Sequence, residues 1–340
     1  MKKTARWAIV LMTVLVGATG CGTNMPNATS SPRASTASPT YGTPAGRRDA
    51  AVAYDPQSRR LLMFGGGTAS TPLSDTWAWD GKGWIELHPA TVPSGGNPFM
   101  AYNVQTRRLE LFLSSETGIG LWSWSNGDWT ERAGFSPPNC SKTATGTVCS
   151  PAVPANPAGI SSLTYDPALN RILVLAPGAE TWTFDGNGLK WQQVTTTHRV
   201  SSYLCCLTYA TASKQVLYLG NGGKSGEINQ TWVFDGSDWT LSSAQTPTGQ
   251  QTEIVDDPAA AAVLMVRGSM DDPAATDTWL WKATTWERLN APSPPASVGF
   301  TLGYDPAHKQ VLLFGGLDRY GSGVSDTWLW DGHTWKKAGG

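Results

Sequence analysis

The residue types that most often perform catalysis are present in this sequence but are not grouped. The four histidines, His88, His198, His308 and His333, are scattered and lack metal-ligand spacing. No serine lies in a nucleophile-elbow motif with a histidine and an acid, and no glycine-rich loop precedes a helical pattern as a phosphate site requires. We therefore expect no catalytic residue set, no metal site and no cofactor. Carboxylate pairs for glycoside chemistry can be judged only from distances.

Polar residues do recur at two places in a repeating unit described below, before its first strand and between its second and third strands. Because successive strands alternate in direction, both kinds of loop open on the same end of the molecule. The polar residues of mixed charge on this end are suited to hydrogen bonding with a polar small molecule, a glycan or a peptide. The predicted ligand-binding residues are Arg47, Arg48, Asn97, Ser161, Ser201, Tyr203, Asn221, Lys224, Gln251, Glu253, Asp318, Arg319 and Tyr320.

The elements that position these residues come from an internal repeat. AVAYDPQSRRLLMFGG and SDTWAWDGKGWIEL in the first copy match TLGYDPAHKQVLLFGG and SDTWLWDGHTWKKA in the last, with four more divergent copies between them. The first tryptophan of each copy falls at Trp77, Trp122, Trp182, Trp232, Trp279 and Trp328, and the closing one at Trp84, Trp129, Trp191, Trp239, Trp286 and Trp335. The copies span about residues 47–90, 96–134, 158–196, 200–245, 250–290 and 296–338.

Each copy contains four short runs with strand character and no helical period. In the first copy they are residues 50–54, 61–64, 76–79 and 84–87, with an Asp-Gly hairpin signal between the last two. Six units of four antiparallel strands predict an all-β, six-bladed propeller over residues 47–338. Trp77 and Trp79 share a strand face, so with Trp84 they are expected to fill the seams between blades. The alternative for these tryptophans is a platform on which sugars stack.

The Phe-Gly-Gly strand ending and the Thr-Trp-x-Trp-Asp-Gly-x-x-Trp run resemble the kelch repeat, and the combined form is similar to galactose-oxidase-type bacterial kelch domains. The resemblance implies a ligand-binding loop face. In some such propellers carboxylates and arginines of an axial pocket act on sugars such as sialic acid. A galactose-oxidase copper site needs tyrosines, a cysteine and histidines. Here Cys205 or Cys206 lies near Tyr203 and Tyr209 in sequence, but the histidines are missing, so we expect no copper.

Every predicted blade is contiguous in sequence, with the innermost strand first and the outermost last. Kelch rings often close by exchanging a strand with the other terminus, and this sequence shows no spare strand for that. We therefore expect blade packing alone to close the ring, so that a chain cut at Ala45 stays cooperatively folded.

The N-terminal segment is typical of an export signal. Lys2, Lys3 and Arg6 precede an apolar run too short to span a bilayer, and Ala18-Thr19-Gly20-Cys21 resembles a lipoprotein cleavage site. This predicts a signal peptide over residues 1–20, lipidation of Cys21 and a membrane-anchored location outside the cytoplasm. The alternative is an ordinary secretory signal, which also exports the chain.

Residues 21–46 are rich in Ser, Thr, Pro, Ala and Gly, so we expect a lipidated cysteine followed by a disordered tether. The formal net charge of −1 and the interspersed acids and bases argue against nucleic acid as a partner.

The remaining cysteines fall in two pairs. Cys140 and Cys149 lie in an insertion at residues 135–157, and an exported location favours a disulfide between them. Cys205 and Cys206 are adjacent, and they are either a vicinal disulfide or, as we prefer, two small buried apolar residues on opposite strand faces.

Taken together, these features favour a non-catalytic, lipid-anchored propeller that binds a ligand or a protein. The alternative is a carbohydrate-active enzyme, similar to galactose oxidase or sialic acid mutarotase, with its site in the axial pocket. An arginine (Arg47, Arg48 or Arg319) and a carboxylate (Glu253 or Asp318) converging on a deep axial cavity would favour the enzyme.

Overall fold

The computed structural model describes residues 38–339 except 69, 116, 136–138, 144–145, 151–158, 179, 201–205, 221–228, 248–250, 269–275, 283 and 296; the side chains of 139–143, 146–150 and 251 are also not described. The predicted signal peptide and most of the predicted tether lie outside these residues. The described part contains strands and turns but no helix, and therefore no helix long and apolar enough to cross a membrane.

The chain forms six four-stranded antiparallel sheets, which we number as blades 1–6 in chain order, each with its strands in sequence order. Blade 1 contains β1 (Ala51–Asp55), β2 (Arg60–Phe64), β3 (Thr76–Trp79) and β4 (Trp84–Leu87); blade 2 contains β5 (Asn97–Asn103), β6 (Arg108–Ser115), β7 (Gly118–Ser125) and β8 (Asp128–Phe135). A separate hairpin, β9 (Asn139–Thr143) and β10 (Gly146–Ser150), follows blade 2.

Blade 3 contains β11 (Ser162–Asp166), β12 (Arg171–Ala176), β13 (Glu180–Asp185) and β14 (Lys190–Val194), and blade 4 contains β15 (Leu207–Ala210), β16 (Gln215–Gly220), β17 (Gln230–Phe234) and β18 (Trp239–Leu241). Blade 5 contains β19 (Gln251–Asp257), β20 (Ala262–Gly268), β21 (Asp277–Lys282) and β22 (Thr285–Arg288); blade 6 contains β23 (Thr301–Asp305), β24 (Gln310–Phe314), β25 (Thr327–Trp330) and β26 (Trp335–Lys337).

The first strands of the blades contact one another in the order β1, β5, β11, β15, β19, β23 and back to β1. The sheets therefore close into a ring with the first strand of each blade innermost. This arrangement confirms the predicted all-β, six-bladed propeller.

The core lies in the seams between blades. Six clusters of buried apolar residues each combine residues from two neighbouring blades, and the cluster that closes the ring packs Trp79 and Trp84 of blade 1 against Phe314 of blade 6. The Trp79 and Trp84 rings meet edge to face at 5.5 Å, and Trp79 is 2% exposed. The tryptophans therefore fill the seams, as predicted.

One hydrogen bond recurs across these seams. The indole Nε1 of the closing tryptophan donates to the threonine that precedes the first tryptophan of the neighbouring blade, as Trp239 does to Thr181 Oγ1 at 2.9 Å. The same bond joins Trp129 to Thr76, Trp286 to Thr231, Trp335 to Thr278 and, across the ring closure, Trp84 to Thr327. The bond satisfies an indole N–H that the apolar seam would otherwise leave unpaired.

The seam between blades 2 and 3 differs from the other five. Leu121 occupies the threonine position, and the buried Trp191 Nε1 has no hydrogen-bond partner among the described residues. Phe112 and Phe135 of blade 2 pack edge to face on Trp191 instead, with ring centroids 6.0 and 5.8 Å away.

One expectation needs correction. Residues 40–46, assigned to the disordered tether, belong to the same compact unit as the propeller, and Gly42 N donates to the carbonyl of Trp84 on the outermost strand of blade 1 at 2.9 Å. Part of the cysteine-bearing insertion after blade 2 pairs as the β9–β10 hairpin.

Candidate functional site

A cleft of about 590 Å³ opens between blades 1 and 2, on the end of the ring where the loops were expected to bind a ligand. Its walls are the β2–β3 loop of blade 1 and the segment that leads into β5. The lining residues are Arg48, Asp49, Phe64, Gly66, Gly67, Thr68, Ser70, Thr71, Pro72, Leu73, Ser74, Pro93, Ser94, Gly95, Gly96, Asn97, Pro98 and Leu113.

The cleft combines an apolar floor with a polar rim. Phe64 and Leu113 are buried beneath it, and the hydroxyl and amide groups of Thr71, Ser94 and Asn97 belong to exposed residues. The charged lining residues are Arg48 and Asp49, whose side chains are half-exposed and form an ion pair at 3.4 Å. Because the two charges offset each other, the cleft favours an uncharged ligand with both hydroxyl groups and apolar faces.

The Phe-Gly-Gly sequence at the end of β2 shapes this cleft. Gly65 and Gly66 have φ values of 66° and 80°, which side-chain-bearing residues rarely adopt. A Cβ atom on Gly66 would lie 2.5 Å from the carbonyl oxygen of Arg48. The glycines therefore let the β2–β3 loop turn away from the blade and pass close to the chain before β1.

A second polar group lies closer to the ring axis. Glu253 is on β19, the innermost strand of blade 5, where the matching positions of the other blades hold Ala51, Phe99, Ser162, Cys206 and Thr301. Burial and the nearby Asp49 carboxylate raise the pKa of Glu253 to about 8. Blade 6 separates blades 1 and 5, so these two carboxylates interact across the inner end of blade 6, where Asp49 N donates to Gly299 O at 2.7 Å.

The Glu253 side chain has no hydrogen bond or ion pair to any group in the described part of the chain. A carboxyl group with a pKa of about 8 is mostly protonated at neutral pH and can donate a proton there. The arrangement brings Arg48, Asp49 and Glu253 toward one end of the ring, although only Arg48 and Asp49 line the cleft.

Arg47 was predicted to bind ligand, but it has a structural role. It is 1% exposed, and its guanidinium forms a two-point ion pair with Asp75, with Nη2 to Oδ2 at 2.7 Å. It also donates to the carbonyls of Ala45 and Gly65. Four of the five guanidinium N–H groups are therefore bonded within the protein.

The β24–β25 loop of blade 6 contains three of the predicted ligand-binding residues, and each has a different role. Asp318 Oδ1 accepts hydrogen bonds from the backbone amides of Tyr320 and Ser322, so it braces the loop. Arg319 lies 4.6 Å above the ring of Tyr320 and donates to its hydroxyl group. Tyr320 is 75% exposed, which leaves an aromatic side chain in solvent on the same end of the ring as the cleft.

The other predicted residues divide into three groups. Arg48 and Asn97 line the cleft together, whereas Ser161 lies outside it and its amide donates to Leu175 O. Gln251 begins β19, and its side chain is not described. Ser201, Tyr203, Asn221, Lys224 and the predicted lipidation site Cys21 lie outside the described residues.

The cysteines of the insertion face each other along the backbone, since Cys140 and Cys149 are directly opposed in the β9–β10 pair. Cys206 is buried in the seam between blades 4 and 5, as expected for a small apolar residue. It is nevertheless a disulfide-bonded residue, so the preference for an unbonded cysteine was wrong. Cys205 lies outside the described residues.

Sequence reasoning missed Asp49 and most of the cleft wall. Gly66, Gly67, Gly95 and Gly96 were not predicted to line a site, because backbone groups that line a cleft carry no side-chain signal. The hydroxyl-rich run at residues 68–74 was the one available indication.

No protein-family model matches the sequence, and no curated protein matches it. Among solved structures, that of YjhT aligns with a TM-score of 0.50 and 10% identity, over 87% of this chain and 99% of that chain. In all, 687 chains of solved structures match, so the architecture alone does not select a function. The fold and these matches define a six-bladed β-propeller.

Proposed function

We propose that this protein is an exported, lipid-anchored propeller of the kelch type that binds an uncharged polar ligand, best matched by a glycan, in the cleft between blades 1 and 2. The observation that carries the proposal is the cleft's composition, an apolar floor beneath a rim of hydroxyl, amide and backbone groups. Sugars present the same combination of C–H faces and hydroxyl groups. The ion-paired Arg48 and Asp49 supply both a donor and an acceptor at one wall.

Kelch membership is supported by the repeated Tyr-Asp-Pro, Phe-Gly-Gly and Trp-Asp-Gly runs in a six-bladed ring. Lipid anchoring is supported by the basic n-region, the short apolar run and the small residues before Cys21. Replacing Cys21 with serine should release the protein from the membrane fraction. Retention of the variant in that fraction would reject the lipid anchor.

The ligand proposal is tested by screening the full-length protein, solubilised in detergent, on glycan and peptide arrays. Ser94→Trp would fill the cleft with an indole, and Asn97→Ala would remove a rim amide. Asn187→Ala, an exposed asparagine in the β13–β14 turn on the opposite end, is the matched control.

We expect a glycan hit whose binding falls at least tenfold in the two cleft variants and is unchanged in the control. Undiminished binding by Ser94→Trp would show that the ligand binds elsewhere. A peptide as the sole hit would replace the glycan with a protein partner.

A specific observation also favours the second candidate, an enzyme that acts on sugars at the axial end. Glu253 is an acid with a pKa of about 8 beside Asp49, and such an acid is suited to proton transfer at neutral pH. Exchange spectroscopy on free reducing sugars, including sialic acid, would detect accelerated conversion between their anomers. Loss of that acceleration in Glu253→Gln would support the enzyme, and no acceleration for any sugar would reject it.

A further inference from the structure

The segment before the first blade makes a continuous set of contacts along the seam that closes the ring. At its start, Tyr41 Oη donates to Asp80 Oδ2 at 3.0 Å, and Gly42 N donates to Trp84 O at 2.9 Å. Both acceptors belong to the outer hairpin of blade 1. The segment therefore adds a short stretch of backbone pairing to the outer edge of that blade.

At its other end, the same segment is bonded to blade 6. The amide of Gly316 donates to the carbonyl of Arg47 at 2.7 Å. Gly46 passes against Gly323 so closely that a Cβ atom on Gly46 would lie 2.3 Å from the Gly323 carbonyl carbon. Glycine at position 46 is thus needed for contact between the two backbones rather than for a special backbone angle.

The segment also leads directly into the wall of the cleft. Arg48 and Gly67 exchange two backbone hydrogen bonds, at 2.8 and 2.9 Å, and Arg48 and Asp49 line the cleft. The ion pair of the buried Arg47 with the partly exposed Asp75 fixes the chain immediately before this wall. Displacement of Arg47 would therefore move Arg48 and the Gly67 loop with it.

We propose that residues 41–47 are a strap that fastens blade 6 to blade 1 and holds one wall of the cleft, so that release of the strap loosens both. The strap includes the last residues of the predicted tether, so a pull transmitted from the proposed membrane anchor would reach the closing seam first. By linkage, a ligand that binds the ordered cleft wall would tighten the strap to the same extent. This last step rests on the proposed ligand cleft, whereas the strap itself does not.

The test uses amide hydrogen exchange on the full-length protein in detergent. Gly46→Ala introduces the methyl group that the Gly323 backbone excludes, and Gly134→Ala on β8 is the matched control because its Cβ would have no atom within 4 Å. In Gly46→Ala we expect the amides of Gly316 and Gly67 to exchange on the order of tenfold faster. The Ser161 amide, bonded to Leu175 O in blade 3, should be unchanged.

Tyr41→Phe provides a milder variant, which removes one exposed hydrogen bond and should accelerate exchange of the Gly42 amide alone. Unchanged exchange at Gly316 and Gly67 in Gly46→Ala would overturn the strap, and so would acceleration spread evenly over all six blades. Because no ligand is present, failure of the array experiment would leave this result intact. Conversely, loss of the strap would leave the glycan proposal standing.

Discussion

The indole-to-threonine bond offers the sharpest test of how the ring is held together. In Thr181→Val, the side chain keeps its shape but loses the oxygen that accepts the Trp239 Nε1 proton at 2.9 Å. Both residues are buried, at 2% and 0% exposed, so water does not replace the lost acceptor. Leaving a buried donor unpaired costs about 1–3 kcal/mol.

For a domain of this size, unfolding entropy of roughly 2 cal/mol/K per residue converts that cost into a fall in Tm of about 2–5 °C. Thr208→Val is the matched control, because Thr208 is a buried threonine on β15 that accepts no tryptophan bond among the described residues. Thermal unfolding by circular dichroism measures both variants. The indole N–H signal of ¹⁵N-labelled Trp239 reports the bond directly and should shift only in Thr181→Val.

Two results would refute this reasoning. One is a Thr181→Val protein as stable as the Thr208→Val control. The other is an unchanged Trp239 indole signal, which would mean that the bond does not form in solution.

Three further predictions concern charged groups and cysteines. Glu253→Gln should gain stability over the wild type as pH rises from 4.5 to about 8, because the folded chain keeps a proton that the unfolded chain releases; a Tm difference independent of pH would contradict the raised pKa. Arg47→Met should lose about 3 kcal/mol in chemical denaturation because the Asp75 carboxylate loses its ion-pair partner and keeps only the hydrogen bond from Trp77, and adding Asp75→Leu should recover part of it; wild-type stability of the single variant would contradict the structural role. Cys140 and Cys149, opposed in one hairpin, should appear as a linked peptide pair in non-reducing mass spectrometry of the exported protein, and free thiols there would reject the disulfide.

The sequence was sufficient for the architecture because the seam residues repeat. The tryptophans that match Trp77 and Trp84 recur in all six copies, seven residues apart in five of them, and the position of Trp79 is always aromatic, so strand alternation places these rings on defined faces. Nothing nonlocal had to be known to recognise six blades.

Contacts between distant positions could not be predicted in this way. Arg47 appears as one of two adjacent loop arginines, and its partner Asp75 lies 28 residues away behind a turn. The contact between Gly42 and Trp84 uses backbone atoms, which any residue supplies, so a segment rich in Ser, Pro and Gly gave no sign of it. The cleft could not be predicted from the sequence for the same reason, because much of its wall is main chain.

The seam between blades 2 and 3 differs from the other five, so the six blades of the ring are not equivalent. Five seams share the indole-to-threonine hydrogen bond, whereas in the sixth Leu121 stands in the threonine position and aromatic rings such as Phe112 pack on Trp191 instead. The six seams therefore contribute unequally to stability. We expect neighbouring blades to separate first at the seam between blades 2 and 3. The cysteine-bearing β9–β10 hairpin is inserted in the chain between the same two blades, 2 and 3.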